Sequence, residues 1–149
     1  MTPKERAEKS AAAMWSTDRA SQHMGMQIVA VDEGQATLTM TVKPEHCNGH
    51  GICHGGFTFT LADSAFAFAC NSRNQATVAQ HNNISYIAPG REGDVLTAEA
   101  REVRLTGRSG IYDVTVSNQD GQVIAEFRGA SRAIKGHLVE EKATLGRTL

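Results

Sequence analysis

The residues best suited to chemistry lie close together, between Asn48 and Asp63 in the run NGHGICHGGFTFTLAD. His54-Gly55-Gly56 opens a nearly unbroken apolar segment that continues to Ser72, and Asp63 is the single charged side chain between His54 and Arg73. An unpaired carboxylate buried in an apolar helix costs several kcal/mol. Either Asp63 faces a partner or a cavity, or the segment is not a buried helix. A helix start offers unpaired backbone N–H groups and a partial positive charge, and paired glycines let a ligand approach them closely. That combination suits the oxyanion of an acyl-transfer reaction. The same glycines would also serve tight packing of helix on strand. Asp63 would equally serve as a structural acid, paired with an arginine or capping a turn.

Spacing constrains how these two groups can cooperate. Gly55 and Asp63 are eight residues apart, which is about 12 Å along a helix at ~1.5 Å per residue. A base or nucleophile must stand ~3 Å from the reacting centre, so the two cannot serve one carbonyl within one chain. If two such helices run antiparallel across a two-fold axis, Gly55 of one faces Asp63 of the other. The geometry predicts composite sites in a homodimer, two per dimer.

Just upstream, His46, Cys47, His50, Cys53 and His54 place five soft ligands in nine residues. Structural zinc sites usually draw ligands from two separated segments. Here one Gly-containing loop holds them all and no second cluster exists, so no metal is expected. Asn48 can donate and accept hydrogen bonds and so hold a water or a carbonyl, although Asn48-Gly49 is also ordinary turn chemistry. There is no G-x-S-x-G elbow and no phosphate-binding G-x-x-x-x-G-K-[ST] loop, and Cys70 lies deep in the apolar run, where thiols are usually inert. Of the arginines, Arg91 and Arg108 sit in turns beside Gly90 and Gly107, placed to grip phosphates bidentately. Arg101, Arg128 and Arg132 fall on alternating strand positions and read as a solvated sheet face.

The elements that must position these groups follow from periodicity. Pro3 to about Ser16 reads as a helix with a narrow stripe of Ala7, Ala11, Met14 and Trp15, expected to dock on the outside of the domain. Asp18 to Gly25 is a short connection or helical turn, so residues 1–24 form an N-terminal helical segment. Gln27 to Asp32 and Ala36 to Val42 are strands, the second with faultless alternation, joined by a turn at Asp32-Glu33-Gly34. Pro44 to Cys53 is a loop, and the apolar run after it is one long helix. Four more strands cover Ala76 to Ala88, Asp94 to Leu105, the alternating stretch around Tyr112 to Ser117, and Val123 to Ile134. Residues 135–149 are polar and aperiodic, as in a mobile tail. The order implies an α+β domain spanning 1–149: a curved antiparallel sheet of six strands wrapped around one central helix. The sheet covers one side of that helix, and the same surface of a second chain is the economical cover for the other.

Composition narrows the function class. With 149 residues and a formal net charge of -1, the chain has no field to gather nucleic acid or an anionic membrane. Its odd set of cysteines, Cys47, Cys53 and Cys70, argues for a reducing compartment over a disulfide framework. The N-terminus shows no apolar segment behind its charges, and the central helix, with Thr58, Thr60, Asp63 and Ser64, is a poor membrane span. A cytoplasmic protein is expected.

The run from Asn48 to Gly56, followed by Leu61-Ala62-Asp63, resembles the hotdog-fold thioesterases of phenylacetate degradation (PaaI type). The similarity continues through Phe66 to Ser72, Pro89-Gly90, Gly93-Asp94, Tyr112-Asp113 and Phe127-Arg128-Gly129, from about Gly25 to Ile134. The specific part is H-G-G with an acid eight residues after its first glycine. The resemblance implies hydrolysis of acyl-CoA thioesters, arylacetyl-CoAs and their hydroxylated forms favoured, without metal or redox cofactor. It implies Asp63 as general base or nucleophile, the Gly55 N–H as oxyanion donor, and Asn48 and His54 as positioning groups. Gly56, Arg91 and Arg108 are then the candidate substrate contacts. It also implies two-subunit sites and dimers paired into homotetramers. The chain departs from close relatives at Ser85 and Ala88, where an acid and an arginine are common, and this shifts CoA contacts toward Arg91 and Arg108. Rival readings are a hotdog CoA-ester hydratase or dehydratase, and a non-catalytic acyl-CoA-binding module.

Overall fold

A computed structural model describes residues 1–141. Six strands, β1 (Gln27–Asp32), β2 (Gln35–Thr41), β3 (Thr77–Tyr86), β4 (Val95–Thr106), β5 (Ser109–Ser117) and β6 (Val123–Ala133), make one sheet ordered β1-β2-β4-β5-β6-β3. Every neighbouring pair is antiparallel. Alternation in β2 sends Ala36, Leu38 and Met40 into the core, opposite Ala100, Ala98 and Leu96 of β4. This is the hotdog arrangement: the sheet wraps the long helix whose apolar content had called for it.

Among the described residues there are also three α-helices, α1 (Pro3–Trp15), α2 (Arg19–His23) and α3 (Gly55–Cys70), and a 3-10 turn at Pro44–His46. α1 starts at a reciprocal cap, in which the Thr2 hydroxyl accepts the Glu5 N–H and Glu5 accepts the Thr2 N–H, both at 3.1 Å. Its stripe buries Ala7 and Ala11. α3 lies on the sheet with Leu61, Ala62, Ala65, Phe66 and Ala69 essentially inaccessible to solvent. Phe66 packs so tightly on β6 that a Cβ at Gly129 would lie 2.8 Å from its ring.

The N-terminal segment does more than dock outside. Trp15 meets Phe68 of α3 with ring centroids 6.3 Å apart, and the Ser21 hydroxyl of α2 lies 2.8 Å from that of Ser64. Part of the side of α3 turned from the sheet is thus covered by the chain's own first helices. Beyond the partly buried Gly55, Phe57 and Phe59 near its start, what stays open along the helix is a stripe: Gly56 is exposed, and Thr60, Asp63 and Ala67 are only partly buried. Those spacings of four, three and four residues mark one helix face.

Of the tail expected over 135–149, residues 142–149 lie outside the described residues. Residues 135–141 are docked where a loose tail was expected, because Asn74 holds them. Its side chain accepts the N–H groups of Leu138 and Val139 at 2.9 Å and donates to the Val139 carbonyl at 2.8 Å. Such an aperiodic anchor leaves no trace in a hydropathy pattern.

Candidate active site

The helix start is built by its cap. His54 is the N-cap of α3, and its Nδ1 accepts the Gly56 N–H at 3.0 Å. With Nδ1 an acceptor, Nε2 is the donor end of the ring. The Gly56 N–H is therefore spent on the cap, whereas the Gly55 N–H has no acceptor among the described residues. Gly56 contributes an open surface, and Gly55 contributes the free donor. Tyr86, at the end of β3, lies against this turn: its hydroxyl donates to the Gly55 carbonyl at 3.0 Å. A Cβ on Gly55 would stand 3.0–3.2 Å from the Tyr86 phenol.

The preceding loop is pinned to both neighbours. Cys47 and Cys53 face each other as an antiparallel bridge, Ile52 bridges Arg91, and the Cys53 N–H reaches the Gly90 carbonyl at 2.7 Å. Asn48 shapes the turn between the two cysteines, its Oδ1 accepting from His50 N–H at 2.9 Å and Ile52 N–H at 3.4 Å. Oδ1 of Asn48 therefore does turn chemistry, and its Nδ2 has no acceptor among the described residues.

The soft ligands of this loop point to separate partners. His46 is buried, its Nδ1 accepting from Lys43 N–H at 3.0 Å and its ring 4.9 Å from that of Phe57. The Cys53 thiol accepts from the Thr58 hydroxyl, and burial pushes its pKa up. Among the described residues no three His, Cys, Asp or Glu side chains come together as a metal cage.

Asp63 lies on the open stripe of α3. Burial raises its pKa, and the Asn82 side chain, donating from Nδ2 to Asp63 Oδ1 at 3.2 Å, opposes the rise. Cys70 lies deeper in the helix, its thiol pushed up to about 12, first by burial and then by Asp63. It is no nucleophile.

The arginines divide. Arg91 adjoins the Asn48 loop through its bridge to Ile52, with an exposed side chain. Arg108 lies past the far end of β4, a strand of twelve residues, and so about 40 Å away along the sheet. One chain cannot bring both to the same ligand group. Arg128 holds Asp113 through two bonds of 2.6 and 2.9 Å, and Arg101 and Arg132 contact Thr115 and Ser109 across the sheet surface. Sequence reasoning missed Tyr86 and Asn82. Asn82, Ile84 and Tyr86 share the face of β3 toward α3, and a polar run of Gln80 to Asn83 inside a strand was the available signal.

Comparison with known proteins identifies the family and the fold. Residues 50–125 match the thioesterase superfamily. The chain is 44% identical over 137 residues to acyl-coenzyme A thioesterase PaaI of Escherichia coli strain K12, covering 91% of this chain and 97% of that one. The solved structure of the E. coli PaaI protein from the phenylacetic acid degradation operon superposes with a TM-score of 0.90 at 42% identity, covering 91% and 99% of the two chains. The structure of smu.793 from Streptococcus mutans bound to acetyl CoA matches with a TM-score of 0.73 at 28% identity, covering 75% of this chain and 90% of the other.

Proposed function

The chain belongs to the thioesterase superfamily, and from that premise we propose that it hydrolyses arylacetyl-CoA thioesters, of the phenylacetyl or hydroxyphenylacetyl type, to the free acid and CoA. The E. coli relative is an acyl-CoA thioesterase by name and comes from a phenylacetic acid degradation operon. The observation that carries the reading is an unspent Gly55 N–H at the start of α3 together with a half-buried Asp63 on the open stripe of the same helix.

The thioester carbonyl oxygen accepts the Gly55 N–H, where the helix terminus favours negative charge. Asp63 of a second copy of the chain either takes a proton from water or attacks directly, and both routes need the ionised carboxylate. Water, or the carboxylate, adds to the carbonyl carbon, and the tetrahedral intermediate collapses by breaking the C–S bond. CoA leaves as thiolate and takes up a proton. In the direct route, water then hydrolyses the acyl–Asp anhydride. Asn48 Nδ2 and His54 Nε2–H are the donors that orient the attack. Gly56 leaves room for the thioester, Arg91 contacts the CoA phosphates, and Arg108 joins only from a partner chain. The domain works as a homodimer with composite sites, paired into a tetramer. No described helix is long and apolar enough to cross a membrane, and the free thiols suit the cytoplasm.

A thiol-release assay across phenylacetyl-, hydroxyphenylacetyl-, acetyl- and long-chain acyl-CoAs tests both activity and substrate class. The aryl esters are expected to turn over fastest, and Asp63→Asn to lose most of that turnover while assembling normally. A chain that releases CoA from none of them is no thioesterase.

A further inference from the structure

Among the described residues one side chain hydrogen-bonds to Asp63, and it does so at an expense. Asn82 Nδ2 donates to Asp63 Oδ1 at 3.2 Å, while Asn82 Oδ1 is buried without any hydrogen-bond partner among the described residues. A carboxylate only accepts, so the amide must turn its nitrogen to Asp63 and its oxygen inward. A buried acceptor left unpaired costs free energy that an apolar side chain of like shape would not. Asparagine is also a poor strand residue, yet it stands within β3 on the face that carries Ile84 and Tyr86. Where a sequence breaks local rules twice at one position, function is the usual reason.

We propose that Asn82 is the positioning residue of Asp63: its amide holds Oδ1, fixes the plane of the carboxylate, and leaves Oδ2 to meet the reacting water or carbonyl. The inference rests on the thioesterase reading above. It agrees with the electrostatics of the site, where burial opposes ionisation and the Asn82 donor favours it. Within the chain, the other titratable group coupled to Asp63 is the Cys70 thiol on α3, which stays neutral across the working range. No charged side chain of the sheet or the N-terminal helices bears on the carboxylate among the described residues.

The test compares wild type, Asn82→Leu, Asn82→Asp and Asp63→Asn by thiol release from phenylacetyl-CoA across pH and by thermal unfolding. Asn82→Leu is expected to keep or raise Tm in acid, where the unpaired oxygen is gone and Asp63 is protonated, and to do less well at neutral pH, where the carboxylate has lost its donor. Its kcat should fall on the order of ten- to hundredfold, the scale of a mispositioned catalytic group, and the acid limb of its pH profile should move to higher pH. Asn82→Asp should move that limb further, since a second carboxylate opposes the ionisation of the first; it also keeps the test open if the leucine variant does not fold. An acid limb unmoved in both variants overturns the proposal, and so does a leucine variant that loses Tm but keeps its pH profile. If Asp63→Asn retains wild-type turnover, the role of Asp63 fails first. If that variant is dead while the Asn82 variants match wild type, only Asn82 is wrong.

Discussion

Gly55 lacks a side chain where the Tyr86 phenol already occupies the space of a Cβ, and the reaction proposed above gives it a second reason, since the thioester would have to reach its N–H. The donor can be removed with the helix kept. Gly55 is the first residue of α3, His54 before it is extended at φ -61 and ψ 133, and proline is favoured at such a position. Gly55→Pro should therefore retain its far-UV circular dichroism, with the exposed Tyr86 ring yielding to the new Cβ. Its kcat on phenylacetyl-CoA should drop by about 100-fold or more, as when one oxyanion donor is deleted. At Asp63 the sign of the pH effect is fixed by burial, which raises the folded-state pKa. The native state then binds more protons than the unfolded chain, so this residue costs stability as pH rises through the carboxylate range. Asp63→Asn should unfold at a higher temperature than wild type at pH 7, with the gap narrowing in acid. Thermal melts at several pH values check it.

At the scale of elements, α3 is held at both ends by polar groups that its hydropathy does not show. His54 caps the start. Beyond the C-terminus, the Ser72 hydroxyl accepts the Gly34 N–H at 2.8 Å, and Arg73 is bonded to Glu102 of β4 and to Glu33. The buried Tyr112 hydroxyl donates to Glu102 at 2.9 Å. Burial pushes the Glu102 carboxyl up, but its bonds to Arg73 and Tyr112 outweigh that and hold it below its ordinary value. Glu102→Leu strands the Tyr112 hydroxyl and should destabilise the fold by about 1–3 kcal/mol at neutral pH. Because the folded pKa is depressed, that contribution is present above the unfolded pKa and is lost as pH falls through the folded one. Urea titrations of wild type and variant should converge in acid.

At the scale of the molecule, β3 is an outer strand of the sheet, and its inner face meets α3 at both site residues: Asn82 at Asp63 and Tyr86 at Gly55. The open stripe of α3 lies beside this edge, where a second copy would complete the chemistry. Complementation decides the matter. Chains carrying Asp63→Asn and Gly55→Pro are each expected to be inactive alone. Refolded together at equal amounts, half the dimers should be mixed, each with one intact site of two, restoring about a quarter of wild-type turnover. A site contained in one chain would recover nothing. Arg91 and Arg108, at opposite ends of β4, likewise meet one CoA only if two chains contribute.

The six strands, the central helix and the Asn48–Asp63 stretch were legible in the sequence, because each rests on local patterns: alternation in β2, an apolar run broken by one acid, paired glycines at a helix start. Helix geometry alone was enough to separate Gly55 from Asp63. Tertiary structure decided the rest, since it depends on contacts between residues far apart in the chain. It showed that His54 consumes the Gly56 N–H and leaves that of Gly55, and that Asn82 and Tyr86 of β3 are the neighbours of Asp63 and Gly55. It also showed that α1 and α2 cover part of α3, and that Asn74 ties down residues past β6. Strand order sets these partnerships, and in this sheet β3 lies beside β6, its neighbour in space and not in sequence.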